Sequence, residues 1–198
     1  MFHFGYTNRI MNSLVSGIAV ILFSSLLSAQ TAQTPFVPQD FQIPQIYVSR
    51  QATFKLKPLG PNYARQDYAA YMSSIEHLQK TFTFSKSWPH AGLTMAEAMK
   101  DVQEEQAGFI ARRKFTFAVL NPDESKELGC VYISPSKKVG YDATVRMWVT
   151  ENQAVIGFDK RLAGEVKIWM KSKWPFPKIA YLGIDISRED FKKLSDKP

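Results

Sequence analysis

Residues 115–149 read FTFAVLNPDESKELGCVYISPSKKVGYDATVRMWV, and the fold is decided there. Two apolar runs rich in β-branched and aromatic residues, Phe115–Leu120 and Cys130–Ser134, are separated by the polar stretch Asn121–Gly129. That pattern predicts two antiparallel strands joined by a longish loop. A second turn-rich loop, Pro135–Asp142, leads into Ala143-Thr-Val-Arg-Met-Trp-Val149, a third strand of the same group. Cys130, between Gly129 and Val131, is the sole thiol, so no intrachain disulfide can form. In a strand-like run it reads as a small buried hydrophobe rather than a nucleophile.

Working outward towards the N-terminus, Leu93-Thr94 opens a helix. Thr94 and Glu97 have the T-x-x-E spacing in which hydroxyl and carboxylate each satisfy a free backbone donor. Met95, Ala98, Met99, Val102, Phe109 and Ile110 form its apolar stripe, with Asp101, Glu104 and Glu105 turned to water. Before it, Asp67 is expected to cap a helix carrying Tyr68, Tyr71, Met72, Ile75 and Leu78 at three- and four-residue spacing. Thr53–Lys57 alternates as a half-buried strand and is stopped by Pro58 and Gly60-Pro61.

Working outward towards the C-terminus, a loop through Gly157 enters a helix with Leu162, Ala163, Val166, Trp169 and Met170 on one side. Lys167, Lys171 and Lys173 gather towards its end, where cations complement the helix dipole. Trp174-Pro-Phe-Pro177 breaks it, Lys178–Ile184 reads as a strand, and Ser187 with Asp190 starts a short last helix. The order is β-α-α-β-β-β-α-β-α, an α+β (mixed α/β) domain whose central mixed sheet is flanked by helices. The last strand is expected parallel to Ala143–Val149 through a right-handed helical crossover.

The remaining segments set context. Residues 10–27 carry no charge and are mostly apolar, Arg9 precedes them, and Leu27-Ser28-Ala29 follows. Residues 1–29 therefore read as a signal peptide or a membrane anchor, engaging membrane or secretion machinery and making the protein exported (periplasmic or secreted) or membrane-anchored. Residues 30–49, rich in Pro and Gln, read as a linker, and 50–198 as a single domain. The 198 residues carry a net charge of +7, with basic residues scattered rather than arranged in any nucleic-acid motif. That excess suits either a solvated basic surface or an anionic small-molecule partner. With only His3, His77 and His90, and no clustered Cys, no metal-ligand spacing is present. No G-x-S-x-G is present either.

From about Thr53 to Leu194 this order resembles the Gcn5-related N-acetyltransferase (GNAT) fold. The resemblance rests on element order and on Phe115–Asn121-Pro, Glu127-Leu-Gly-Cys-Val-Tyr-Ile133 and Val145-Arg-Met-Trp-Val149. It implies that a middle strand with a splayed end binds the pantetheine arm of acetyl-CoA, and that the following R/Q-x-x-G-x-G/A loop cradles pyrophosphate at a helix N-terminus. Carried onto this chain, Met147, Trp148, Val149, Gly157, Phe158 and Lys160 would bind acetyl-CoA or another acyl-CoA, with an amine acceptor. Tyr181 would protonate the leaving thiolate and Glu76 would serve as base, unless the first is a core tyrosine and the second a solvent-facing acid. The chain departs from the pattern at Asn152 and Val155, and Glu151 and Asp159 add negative charge where phosphate would lie. Gly157 is then either a phosphate contact or a plain turn. The family's two final strands find no counterpart after the last helix. The alternative is a non-catalytic envelope protein that uses this fold for ligand or protein binding.

Overall fold

The computed structural model describes residues 36–198; the expected signal or anchor segment, 1–29, lies outside them. Six strands form one mixed sheet in sequence order: β1 Tyr47–Val48, β2 Lys55–Pro58, β3 Phe115–Leu120, β4 Glu127–Pro135, β5 Ala143–Val149 and β6 Ile179–Tyr181. Neighbours are antiparallel except β5 and β6, which run parallel as the crossover predicted. The helices are α1 Ala64–Met72, α2 Ile75–Leu78, α3 Met95–Ile110, α4 Glu151–Val155, α5 Phe158–Lys173 and α6 Arg188–Lys193. None of the described helices is long and apolar enough to cross a membrane.

Alternation along β3–β5 divides the core between two faces of the sheet. On one, Phe115, Phe117, Val131, Ile133, Val145 and Val149 pack against Leu162, Val166, Trp169 and Met170 of α5. On the other, Ala118, Leu120, Cys130 and Trp148 pack against Tyr71 of α1, Leu78 of α2 and Ala98 and Val102 of α3. Cys130 is fully buried and its thiol donates to the Phe117 carbonyl at 3.3 Å, the structural role its position predicted. The Thr94–Glu97 capping box forms with both reciprocal bonds.

Several local expectations are corrected. Asp67 is not a helix cap: a 3₁₀ turn at Pro61–Tyr63 feeds directly into α1, because Pro61 already holds the backbone angle a helix start needs, and Asp67 lies buried inside the helix. The expected single helix through Leu78 breaks at Ser73-Ser74, where the Ser74 hydroxyl accepts the Glu151 N–H at 2.9 Å, and α2 then widens into a π turn at Gln79–Thr83. Ile110 is 75% exposed because α3 ends there, one residue before its C-cap. Glu105 is drawn inward by Lys114 at 2.7 Å and by the Thr116 hydroxyl. The last strand is shorter than Lys178–Ile184, because Gly183 at φ +81° turns the chain.

Residues 36–49 contribute directly to this core. Val37 is 1% exposed, and Phe36 stacks on Phe176 with ring centroids 4.5 Å apart. Arg112 donates to the carbonyls of Pro38 and Phe41. The Tyr47 hydroxyl and Arg50 both bind Glu165 of α5.

Candidate functional site

The site begins where a strand pair stops. β5 and β6 share three register positions, Ala143–Ile179, Thr144–Ala180 and Val145–Tyr181, and a last bond from the Leu182 N–H to the Val145 carbonyl at 3.0 Å. Gly183 then takes the chain into a tight turn closed by its own N–H on the Ile186 carbonyl, 2.8 Å away. β5 continues for four residues, Arg146–Val149, without a neighbour on that edge. Main-chain groups of a strand alternate in direction. Since the Val145 carbonyl faces β6, the main-chain groups of Met147 and Val149 face the gap.

The gap opens into a cleft of about 450 Å³. One wall is β5, from Arg146 to Val149; a second is the start of α5, with Asp159, Lys160 and Ala163. The third comes from the π turn and the residues flanking it, His77, Thr81, Phe82 and Phe84, and Arg188 of α6 joins them beside Leu182–Ile184. Gly157 sits at φ +71° as the N-cap of α5, with no side chain capping the helix. Free N–H groups of the first turn and the helix dipole make such an end favourable for an anion.

Met147, Trp148, Val149 and Lys160 are thus brought together on the cleft. The Phe158 side chain is not there: it is 1% exposed, edge-on to Phe54 in the core, which leaves only its backbone N–H for a ligand. The stretch read as a loop, 150–157, is instead the short helix α4, followed by Gly157. Thr150 enters it with an extended backbone, and Val155 is 81% exposed at its end.

Tyr181 and Glu76 do not join the cleft. Tyr181 lines the neighbouring groove with Lys167 and Trp174. Its ring receives the Lys167 ammonium at 5.3 Å, and burial, with the charge of Asp185, pushes its phenol up to about 12. Glu76 is exposed and pairs with Lys80 at 3.6 Å, one helical turn on. Its neighbour His77 is the α2 side chain that faces the cleft.

Sequence reasoning missed Phe82, Phe84 and Arg188. Arg146 lies over the Phe82 ring, 4.3 Å from its centroid, and Arg188 donates to the Phe82 carbonyl while lying 5.4 Å from the Phe84 ring. Desolvation, and secondarily the charge of Arg188, lowers the proton affinity of Arg146. The aromatic pair in Thr81-Phe-Thr-Phe84 was visible in the sequence, but its meeting with residues 146 and 188 was not.

No family model matches this sequence, and no curated protein does. Solved structures do match. One is an acetyl transferase from Salmonella typhimurium that modifies the N-terminal serine of a 50S ribosomal subunit protein: TM-score 0.51, 12% identity, covering 65% of this chain and 69% of that one. Another is a ribosomal-protein-alanine acetyltransferase from Vibrio fischeri: TM-score 0.49, 16% identity, covering 66% of each chain. A third is a ribosomal α-N-protein acetyltransferase in complex with coenzyme A: TM-score 0.49, 14% identity, covering 62% of this chain and 66% of that one. This chain spans about two thirds of the length of these neighbours.

Proposed function

The chain has the fold of the Gcn5-related N-acetyltransferases, and from that premise we propose that the cleft beside β5 binds acetyl-CoA or another acyl-CoA and passes its acyl group to an amine. The observation that carries this reading is the end of the β5–β6 ladder at Val145 and Leu182. It leaves main-chain groups of Met147 and Val149 open to the amides of a pantetheine arm, which would bind as a strand does. The N-terminus of α5, with Lys160 beside it, takes the pyrophosphate.

In the transfer step the amine nitrogen attacks the thioester carbonyl, the C–S bond breaks, and the sulfur leaves as thiolate. The amine gives up a proton and the thiolate takes one. His77, the imidazole on the cleft wall, is the side chain placed to carry that proton. The thiolate's proton comes from solvent, since Tyr181 lies on the adjoining groove.

A second reading is favoured by α4. A helical turn that begins with Glu151 and ends in the exposed Val155 stands where a glycine-rich phosphate loop would lie, which suits a binding module that transfers nothing. Residues 10–27, read as a signal or anchor, bear on the choice, because a domain carried across a membrane would lack cytoplasmic acyl-CoA.

Thermal unfolding of the chain with and without millimolar acetyl-CoA separates the two readings. At about 100 times its dissociation constant the ligand should add about 2.7 kcal/mol, or roughly 5–10 °C for a domain of this size. Lys160→Glu should reduce that shift. No shift at saturating cofactor would overturn the acyl-CoA reading.

A further inference from the structure

Arg146 is the first β5 residue past the last paired one, Val145, so it stands at the apex of the cleft. The phosphate-favouring end is at Gly157 and α5, beyond Val149. Three residues of strand separate Arg146 from Val149, about 10 Å at the rise of a β-strand. A ligand whose phosphates lie at α5 therefore has its reacting end near Arg146.

Arg146 shares its sheet face with Tyr132, its register partner on β4, and with Trp148, whose indole N–H donates to the Tyr132 hydroxyl at 3.1 Å. That face belongs to α1 and α3, opposite the α5 wall. Arg188 reaches the same place from α6, fixed by its bond to the Phe82 carbonyl. Phe82 therefore holds both cations, one on its ring and one on its carbonyl.

Among the described residues neither guanidinium has a carboxylate partner. Of the acids close to Arg188 in sequence, Asp190 pairs with Lys193 at 2.9 Å, Asp185 pairs with Lys167, and Glu189 is exposed to solvent on the same helix without bonding either guanidinium. Asp159 lines the far wall on α5, beside Lys160. Two like charges brought together against aromatic surface repel one another, and an anion between them removes that cost. A planar fork matches a carboxylate with two parallel N–H donors.

We propose that Arg146 and Arg188 form a carboxylate-binding site at the apex of the cleft, so that the molecule reacting there carries a carboxylate close to its reacting group. The inference rests on the acyl-transfer reading for which end of the ligand reaches the apex. The carboxylate belongs either to a dicarboxylic acyl donor or to an acidic amine acceptor, and the α1–α3 side of the sheet on which Arg146 lies is the side away from the α5 wall.

Equilibrium binding to the full chain tests it in two arms. One arm compares succinyl-CoA with acetyl-CoA, with CoA alone as the reference. The other compares an Asp-Ala-Ala amide peptide with its Asn counterpart, in the absence of any CoA. The site requires one arm to show a preference of about tenfold or more for the carboxylate. Arg146→Gln and Arg188→Gln, tested separately, should each abolish the preference, and Arg146→Lys and Arg188→Lys should restore part of it. Arg188, at the start of a surface helix, can be replaced without opening the core, so the test survives if an Arg146 variant fails to fold. Equal binding of acid and neutral partner in both arms overturns the inference, as does a preference that persists in Arg188→Gln. Failure of CoA itself to bind is a separate outcome that overturns the acyl-CoA reading, and the peptide arm still decides whether the two arginines hold a carboxylate.

Discussion

Glu127 enters β4 with its carboxylate sealed from solvent, and neither of its oxygens has a hydrogen-bond partner. Asp67 of α1 is buried beside it, and one ligand atom from each of Asp67, Glu127 and Cys130 lies within 4.8 Å of the others. Burial, then the charge of Asp67, raises Glu127 well above the usual carboxylate range; burial also raises Asp67, to about 7. Both groups hold protons more tightly folded than unfolded. Their contribution is therefore full at acid pH and is lost as pH rises from the free carboxylate range through the raised pKa of each, about 7 for Asp67. The melting temperature should fall between about pH 5 and pH 8, with other groups superimposed. Glu127→Gln, which keeps the shape and cannot ionise, should flatten that slope. Melting curves of the two proteins across that range check this, and an unchanged slope would sink it.

At the scale of elements, the approach of β4 to β5 depends on one glycine. A Cβ on Gly129 would lie 2.1 Å from the Trp148 carbonyl oxygen and 2.8 Å from the Val149 Cα, both backbone atoms that cannot swing aside. Gly129→Ala should cost about 1–3 kcal/mol and displace the cleft wall at Trp148 and Val149; a denaturant midpoint that does not move would refute it. β3 and β5 were legible in the sequence, whereas β4 begins at Glu127, inside the stretch Asn121–Gly129 read as loop, because pairing with β3 and β5 extends it past its apolar run. Phe115–Leu120 and Ala143–Val149 have the β-branched and aromatic density that packing on both faces demands, and the structure ends them at the residues expected. β1 was not legible, because two residues carry no alternation, and it owes its place to Tyr47 reaching Glu165 across the core. α4 is a single turn following a strand, too short for helical periodicity to register, and Ser74 satisfies its leading N–H from a distant part of the chain. The same Ser73-Ser74 break ended a helix whose apolar spacing ran on without interruption.

For the whole molecule, the sequence located the β5 wall of the cleft but not its opposite side. Met147, Trp148 and Val149 could be named because the resemblance to the acetyltransferase fold points to the end of that strand. Arg188 and Phe82 are 106 residues apart, and no local pattern announces a contact of that range. Glu76 and His77 illustrate a finer limit, since the choice between adjacent residues turns on the phase of a helix that the Ser73-Ser74 break resets. The sheet is also graded. β4 is paired over six positions with β3 and seven with β5, and β3 over four with β2, whereas β6 is held by three register pairs and a following turn. Amide hydrogens are released at the rate their local structure opens. Exchange with deuterated solvent should therefore be slower along β3 and β4 than along β6, and equal protection of β6 and β4 would contradict the grading. The short parallel pair that leaves the cleft open thus also sets its timescale: the strand facing β5 is the lightly latched one, and an occupant of the cleft should declare itself first as slowed exchange at Leu182.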